Sequence, residues 1–164
     1  MTKAALRKLI QTASGQIPAE TVIQNCRILD VFTGVFKEGD IALCGGRIAG
    51  VGRYRGEREI DGEGRYAVPG LIDSHIHIES SYLCPEELGR LLVPHGTTTI
   101  IADPHEIVNV CGTAGLDYMM AAAENTALDI LFMLPSCVPA TPFEHAGAEM
   151  GAAEMAEPLR RDKV

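Results

Sequence analysis

Nowhere does the sequence hold a run of about eighteen apolar residues, so it encodes no membrane-spanning helix. It also lacks a basic stripe. Its two basic clusters, Arg53 to Arg58 and Arg160 to Lys163, are both interrupted by acids, and 22 acidic against 14 basic side chains leave a net charge of −8. That balance argues against DNA or another polyanion as a partner. No CxxC pair occurs among the scattered cysteines (Cys26, Cys44, Cys84, Cys111, Cys137), which disfavours a zinc finger or a redox dithiol and fits reduced, partly buried thiols. Phosphate loops and dinucleotide fingerprints are missing too: Gly45-Gly46 and Gly62 with Gly64 lack the strand-to-helix setting those motifs require. There is no internal repeat and no low-complexity tract. Met1 to Thr12 carries Lys3, Arg7 and Lys8 but only a short apolar stretch, with no small-residue cleavage site behind it. It reads as an amphipathic surface helix rather than a signal peptide, which makes the cytoplasm the expected compartment.

What is present suits a globular chain of one or two domains: 46% hydrophobic and 22% charged residues, with 17 Gly and 9 Pro. Three regions follow one another. Residues 1–19 form a helix and a linker. Residues 20–68 form a small β-module of short strands at Thr21-Val22-Ile23, Arg27-Ile28-Leu29, Asp40 to Leu43, Ile48 to Val51, Arg58-Glu59-Ile60 and Tyr66-Ala67-Val68. The Gly45-Gly46 pair supplies a tight hairpin and the module reads as antiparallel. Residues 69–164 alternate strand and helix: strands at Leu71 to Ile78, Thr97 to Ala102 and Asp129 to Leu134. Helices are expected from Cys84-Pro85 onward with Leu88, Leu91 and Leu92 buried, over Leu116 to Leu128, and over Phe143 to Leu159. Such alternation implies parallel strands. The fold class is therefore α/β, a small β-module followed by three βα units. A barrel takes eight units and roughly 250 residues. An open three-stranded sheet would instead leave an apolar edge. An N-terminal portion of a longer protein is the expectation, and a small complete α/β domain is the alternative.

The informative segment is Asp73-Ser74-His75-Ile76-His77-Ile78-Glu79. Alternation along a strand puts Asp73, His75, His77 and Glu79 on one face and the isoleucines on the other. Four polar side chains on an inward face are costly unless paired, and a divalent cation held by His75 and His77 resolves the cost. Neighbouring carboxylates would orient the rings. A lone HxH is weak, because most such pairs bind nothing. This one ends an apolar strand, where α/β barrels place their sites. The next strand leads into Ile101-Ala102-Asp103-Pro104-His105-Glu106. There His105 and Glu106 have two readings: a second cation, substrate or proton transfer, or a solvated pair after a turn capped by Asp103. Cys137, in the stretch after the third strand, has no identified base and is a weak nucleophile candidate. His77-Ile78-Glu79 matches half of the H-x-E plus P-C-x-x-C signature of zinc nucleobase deaminases, but no P-C-x-x-C exists and that fold is rejected.

Val68-Pro69-Gly70-Leu71-Ile72-Asp73-Ser74-His75-Ile76-His77 resembles the first barrel strand of the amidohydrolase superfamily. His75 to Ser81, Gly96-Thr97-Thr98-Thr99, Asp103 to Val110 and Ser136 to Ala140 narrow the resemblance to its prokaryotic adenine deaminase family, over about residues 5 to 160. The HxH is common to the whole superfamily; the other blocks are more specific. The resemblance implies the first βα units of a TIM-like (β/α)8 barrel preceded by a small β-sandwich-type composite domain, and hydrolysis of adenine to hypoxanthine and ammonia in purine salvage, with water adding at C6 and the amine leaving once protonated. It implies a binuclear centre of Mn2+ or Fe2+ with His75 and His77 on one metal. Glu79, His105 and Glu106 would be catalytic residues in or beside that site. It further implies a small-molecule substrate, no nucleic-acid or membrane partner, and a homo-oligomer at full length. The family's remaining ligands lie on later strands, so these 164 residues alone are expected to be inactive. Two rivals stay open: another amidohydrolase opening a cyclic amide, as dihydroorotases and hydantoinases do, and a non-catalytic binding or assembly fragment.

Overall fold

Thr2 opens the first element, its side chain accepting a hydrogen bond from Ala5 N at 3.2 Å, and helix α1 (Lys3–Ala13) follows in the computed structural model, which describes all residues from Met1 to Val164. The chain divides into two units, Met1–Pro69 and Gly70–Val164.

In the first unit α1 is followed by β1 (Ala19–Asp30), β2 (Val35–Cys44), β3 (Arg47–Gly52), β4 (Gly56–Asp61) and β5 (Tyr66–Ala67). The strand order is β3-β2-β1-β4, with β5 also pairing β1. Gly45 and Gly46, at φ 58° and 70°, close the β2–β3 hairpin in the left-handed conformation that such a turn demands. Two expectations are corrected. The strands read separately at 21–23 and 27–29 are one long β1, and the sheet is mixed rather than antiparallel, because β4 and β5 both run parallel to β1. The break read from sequence is a bulge between Ile23 and Cys26, with Asn25 at φ 53°. The extra residue turns Val22 and Ile28 to opposite faces of the sheet. Val22 packs with Ala19, Ala42, Ala49 and Tyr54. Ile28 lines an open apolar groove with Ile41, Val51 and Val68, beside a fully exposed Phe32.

The second unit is built on three parallel strands in the order β6-β7-β8: β6 (Leu71–Ile76), β7 (Thr97–Ala102) and β8 (Asp129–Phe132). Helix α2 (Pro85–Leu92) starts with Pro85 at its first turn, where a missing N–H costs nothing, and with Glu86 and Glu87 at its positive end. Helices α3 (His105–Cys111) and α4 (Thr113–Ala123) follow β7, and the short α5 (Ala152–Met155) lies near the end. Gly112, at φ 60°, lets the chain turn between α3 and α4 with no intervening loop. The core gathers Ile78, Leu88, Ile100, Val108, Leu116, Met119, Ile130 and Phe132. The α/β class and the parallel pairing thus stand. No helix is long and apolar enough to cross a membrane.

Several boundaries differ. β6 stops at Ile76, and as an edge strand it leaves Leu71 and Ile72 exposed on both faces; only Ile78, beyond its end, is fully buried. Leu91 is exposed, so the buried stripe of α2 is Leu88 and Gly89, with Leu92 half-buried. α3 was not anticipated, and α4 ends at Ala123 rather than at Leu128. Phe143 to Leu159 is not a continuous helix: Met150 N donates to Val138 O at 2.8 Å and Gly147 lies against the Val110 carbonyl, so tertiary pairing overrides the helix-forming composition. The edge of β8 is partly covered, Phe132 N donating to Lys163 O at 2.7 Å.

Candidate metal centre

β6 and β7 keep register from Ile72 to Asp73, then slip between Asp73 and Ile76, where β6 holds one residue more than its partner. A bulge of this kind re-aims side chains. Beyond it the chain leaves the strand at Ile76 and enters a single 3-10 turn at Glu79–Ser81. Asp103 N donates to Ile76 O at 2.8 Å, which extends the pairing by one rung and brings Asp103 beside His77.

The two histidines meet. His75 Nε2 and His77 Nε2 are 3.3 Å apart, their rings tilted at 45°. Two imidazoles on one tetrahedral cation, at metal–nitrogen distances of about 2.0–2.1 Å, hold their nitrogens about 3.3–3.4 Å apart. One ligand atom from each of His75, His77 and Asp103 lies within 4.8 Å of the others. Asp103 Oδ1 is buried without a hydrogen-bond partner, an expensive state for a carboxylate unless a cation meets it. The donor set of two imidazoles and an anionic oxygen therefore fits a divalent cation.

Behind these ligands stands a carboxylate. His77 Nδ1 donates to Glu106 Oε2 at 2.9 Å, and Ser80 Oγ donates to Glu106 Oε1 at 2.9 Å. The Glu106 hydrogen bond raises the His77 pKa above its ordinary value, against the lowering effect of burial. Burial pushes the Glu106 carboxyl up, yet hydrogen bonds from His77 and Ser80 outweigh it and leave the group below the usual range. A carboxylate on Nδ1 selects the tautomer with its proton there and leaves the Nε2 lone pair toward the ligand cluster.

The expected residues divide. His75 and His77 converge. Glu106 joins them from the first turn of α3. Glu79 does not lie on the strand face: it sits on the 3-10 turn, and its Oε1 accepts from Ile107 N at 3.2 Å, while Oε2 is buried without a partner. Asp73 turns back on its own strand and accepts from His75 N at 3.1 Å. His105 is half-buried at the first position of α3 and contributes no atom to the three-ligand cluster. Cys137 is exposed and has Ser136 Oγ at 3.9 Å as its polar neighbour. Sequence reasoning missed Asp103 as a candidate ligand by reading it as a turn cap. The available signal was its place one residue past a buried strand, at the same sheet end as the HxH.

With that geometry in place, similarity to known proteins becomes informative. The amidohydrolase family model matches residues 66–163. The chain belongs to the amidohydrolase family. Among its curated relatives, adenine deaminase 2 of Desulfotalea psychrophila is 63% identical over 164 residues, covering 100% of this chain. The adenine deaminases of Geobacillus kaustophilus and Ligilactobacillus salivarius are each 52% identical, over 98% and 100% of it. The chain spans 28% of the length of each of these three proteins.

Proposed function

We propose that the whole protein to which this sequence belongs is a metal-dependent adenine deaminase, converting adenine and water to hypoxanthine and ammonia. The observation that carries the reading is the 63% identity to an adenine deaminase along this entire chain. The convergent His75, His77 and Asp103 atoms support the metal dependence. The activity is assigned to the whole protein because the chain spans 28% of that relative's length. On this reading β6, β7 and β8 are the first three strands of a barrel, and the β-module belongs to a separate composite domain. Mn2+ or Fe2+ in a binuclear centre, a cytoplasmic location and a homo-oligomer complete the proposal.

His75 and His77 would hold the cation through Nε2, with Asp103 adding an anionic oxygen. A cation held there would supply a lowered pKa for water, so that hydroxide is available near neutral pH. The chain's own residues do the rest of the local work. Glu106 keeps the His77 proton on Nδ1 and is our candidate for proton transfer at the site. Glu79 holds the first turn of α3 through Ile107 N, fixing where Glu106 stands. His105, on that same turn, is the candidate for contact with the purine.

The test is to incubate the whole protein with adenine and, separately, with dihydroorotate and hydantoin. Ammonia and hypoxanthine from adenine alone support the proposal. Ring opening of a cyclic amide without adenine turnover would overturn it in favour of a cyclic amidohydrolase. His75→Ala with His77→Ala should abolish turnover and lower bound metal. Unchanged metal content in that variant would point to a non-catalytic module.

A further inference from the structure

We propose that Ser80 is a positioning residue of the metal centre, acting through Glu106 on His77. The inference rests on the metal-binding reading above and extends it to a residue outside the ligand set. Glu106 is the only side chain touching His77 Nδ1 by hydrogen bond, and its own side chain is 46% exposed. A half-exposed glutamate has several rotamers, and one contact leaves its carboxylate free to pivot away from the ring. Ser80 removes that freedom. Its hydroxyl donates to Oε1 at 2.9 Å while Oε2 receives the imidazole proton at 2.9 Å, so both oxygens are engaged from different sides.

The backbone of Ser80 is held in turn. Ser80 N donates to His77 O at 3.2 Å, which closes a ring running from the His77 imidazole through Glu106 and the Ser80 hydroxyl back to the His77 carbonyl. The 3-10 turn is stiffened on either side, Ser81 Oγ donating to Ile78 O at 2.6 Å and Tyr82 N to Glu79 O at 2.9 Å. Glu79 then clamps Ile107 N from the same turn. Neighbouring residues on one turn thus grip two consecutive residues of α3. A serine serving only as a solvated surface residue would need none of this closure, and its removal would leave His77 unaffected.

The experiment uses the whole protein labelled with 15N-histidine, with Ser80→Ala and Ser80→Thr variants. At one fixed alkaline pH the metal-free imidazole 15N shifts report the His77 tautomer. Mn2+ affinity is measured by competition with a chromophoric chelator. Ser80→Ala should reduce the Nδ1–H tautomer of His77 and weaken Mn2+ binding about tenfold, the lower end for loss of an outer-shell partner. Ser80→Thr keeps the hydroxyl and should restore both. Unchanged shifts and affinity in Ser80→Ala would overturn the proposal, as would an affinity loss with no change at His77. So would a Ser80→Thr variant that is folded yet as impaired as Ser80→Ala. If the unsubstituted whole protein takes up no Mn2+, the metal reading fails while the tautomer shift still decides the role of Ser80.

Discussion

Gly115, in the first turn of α4, offers a way to disturb the candidate site without touching any residue in it. A Cβ built there would lie 2.8 Å from the Ile107 carbonyl oxygen and 3.0 Å from its carbonyl carbon. Non-bonded heavy atoms prefer about 3.5 Å or more, so Gly115→Ala requires a displacement of about 0.7 Å. The obstacle is backbone, which no rotamer change relieves. The cost of such overpacking is about 1–3 kcal/mol. For a chain of this size that lowers the melting temperature by a few degrees to about ten. Ile107 immediately follows Glu106, so α3 moves with it. A shift of about 0.7 Å along the line from Glu106 to His77 stretches their 2.9 Å hydrogen bond to about 3.6 Å, where it no longer counts as one. Mn2+ affinity should then fall by about 10- to 100-fold, as for other losses of outer-shell support. Circular dichroism melting and a chelator-competition titration read the two effects. An unchanged melting curve would refute the packing argument. A lowered melting temperature with undiminished Mn2+ affinity would refute the link from α4 through α3 to His77.

Other expectations follow from single contacts. Asp103→Asn removes the anionic oxygen but little volume, and should weaken Mn2+ binding by more than about tenfold in the same titration, because it alters a ligand rather than its support. Gly89→Ala drives a Cβ into Thr126 Oγ1 and should lower stability by about 1–3 kcal/mol in urea unfolding; adding Thr126→Ala should recover part of that loss, since the nearest obstacle is then gone. Leu116→Ala empties a fully buried core position and should cost about 2–5 kcal/mol by the same measurement. The Lys37 hydrogen bond, with help from Phe32 N, holds the Asp30 carboxyl down at about 2. A depressed carboxyl stabilises the folded state above its unfolded pKa and loses that contribution as pH falls through about 2. Carboxyl NMR should find that low midpoint, and Lys37→Met should raise it.

The sequence revealed elements whose signals are local. The α1 pattern, the Gly45-Gly46 hairpin and the β-branched run of β7 were legible because propensity, turn chemistry and burial agree there. The single β1 was not, since a bulge at Asn25 looks like a strand break when no partner strand is in view. The direction of β4 and β5 could not be read either, because parallel pairing depends on the chain crossing back to run alongside β1, which no local signal encodes. Residues 143–159 show the opposite failure. Their Ala, Glu and Met content favours a helix, but the Val138–Met150 pairing and the approach of Gly147 to Val110 O take precedence. α3 was missed although Pro104 and Glu106 gave it a recognisable start.

The candidate site shows why a correct pair of residues can be reached by an incomplete rule. Strict alternation places Asp73, His75, His77 and Glu79 together, yet only the histidines meet. The slip between Asp73 and Ile76 breaks the alternation, and the strand ends before His77. Asp73 satisfies its own backbone, and Glu79 is carried away by the 3-10 turn to hold α3. What restores a charged partner to the pair is the following βα connection, which delivers Asp103 and Glu106 to the same sheet end. Parallel topology guarantees that such connections gather there. It follows that the candidate metal ligands and their supports are distributed by the fold, one strand end at a time. A short motif can therefore name the first two imidazoles while leaving their carboxylate partners to be found only when neighbouring strands are in register.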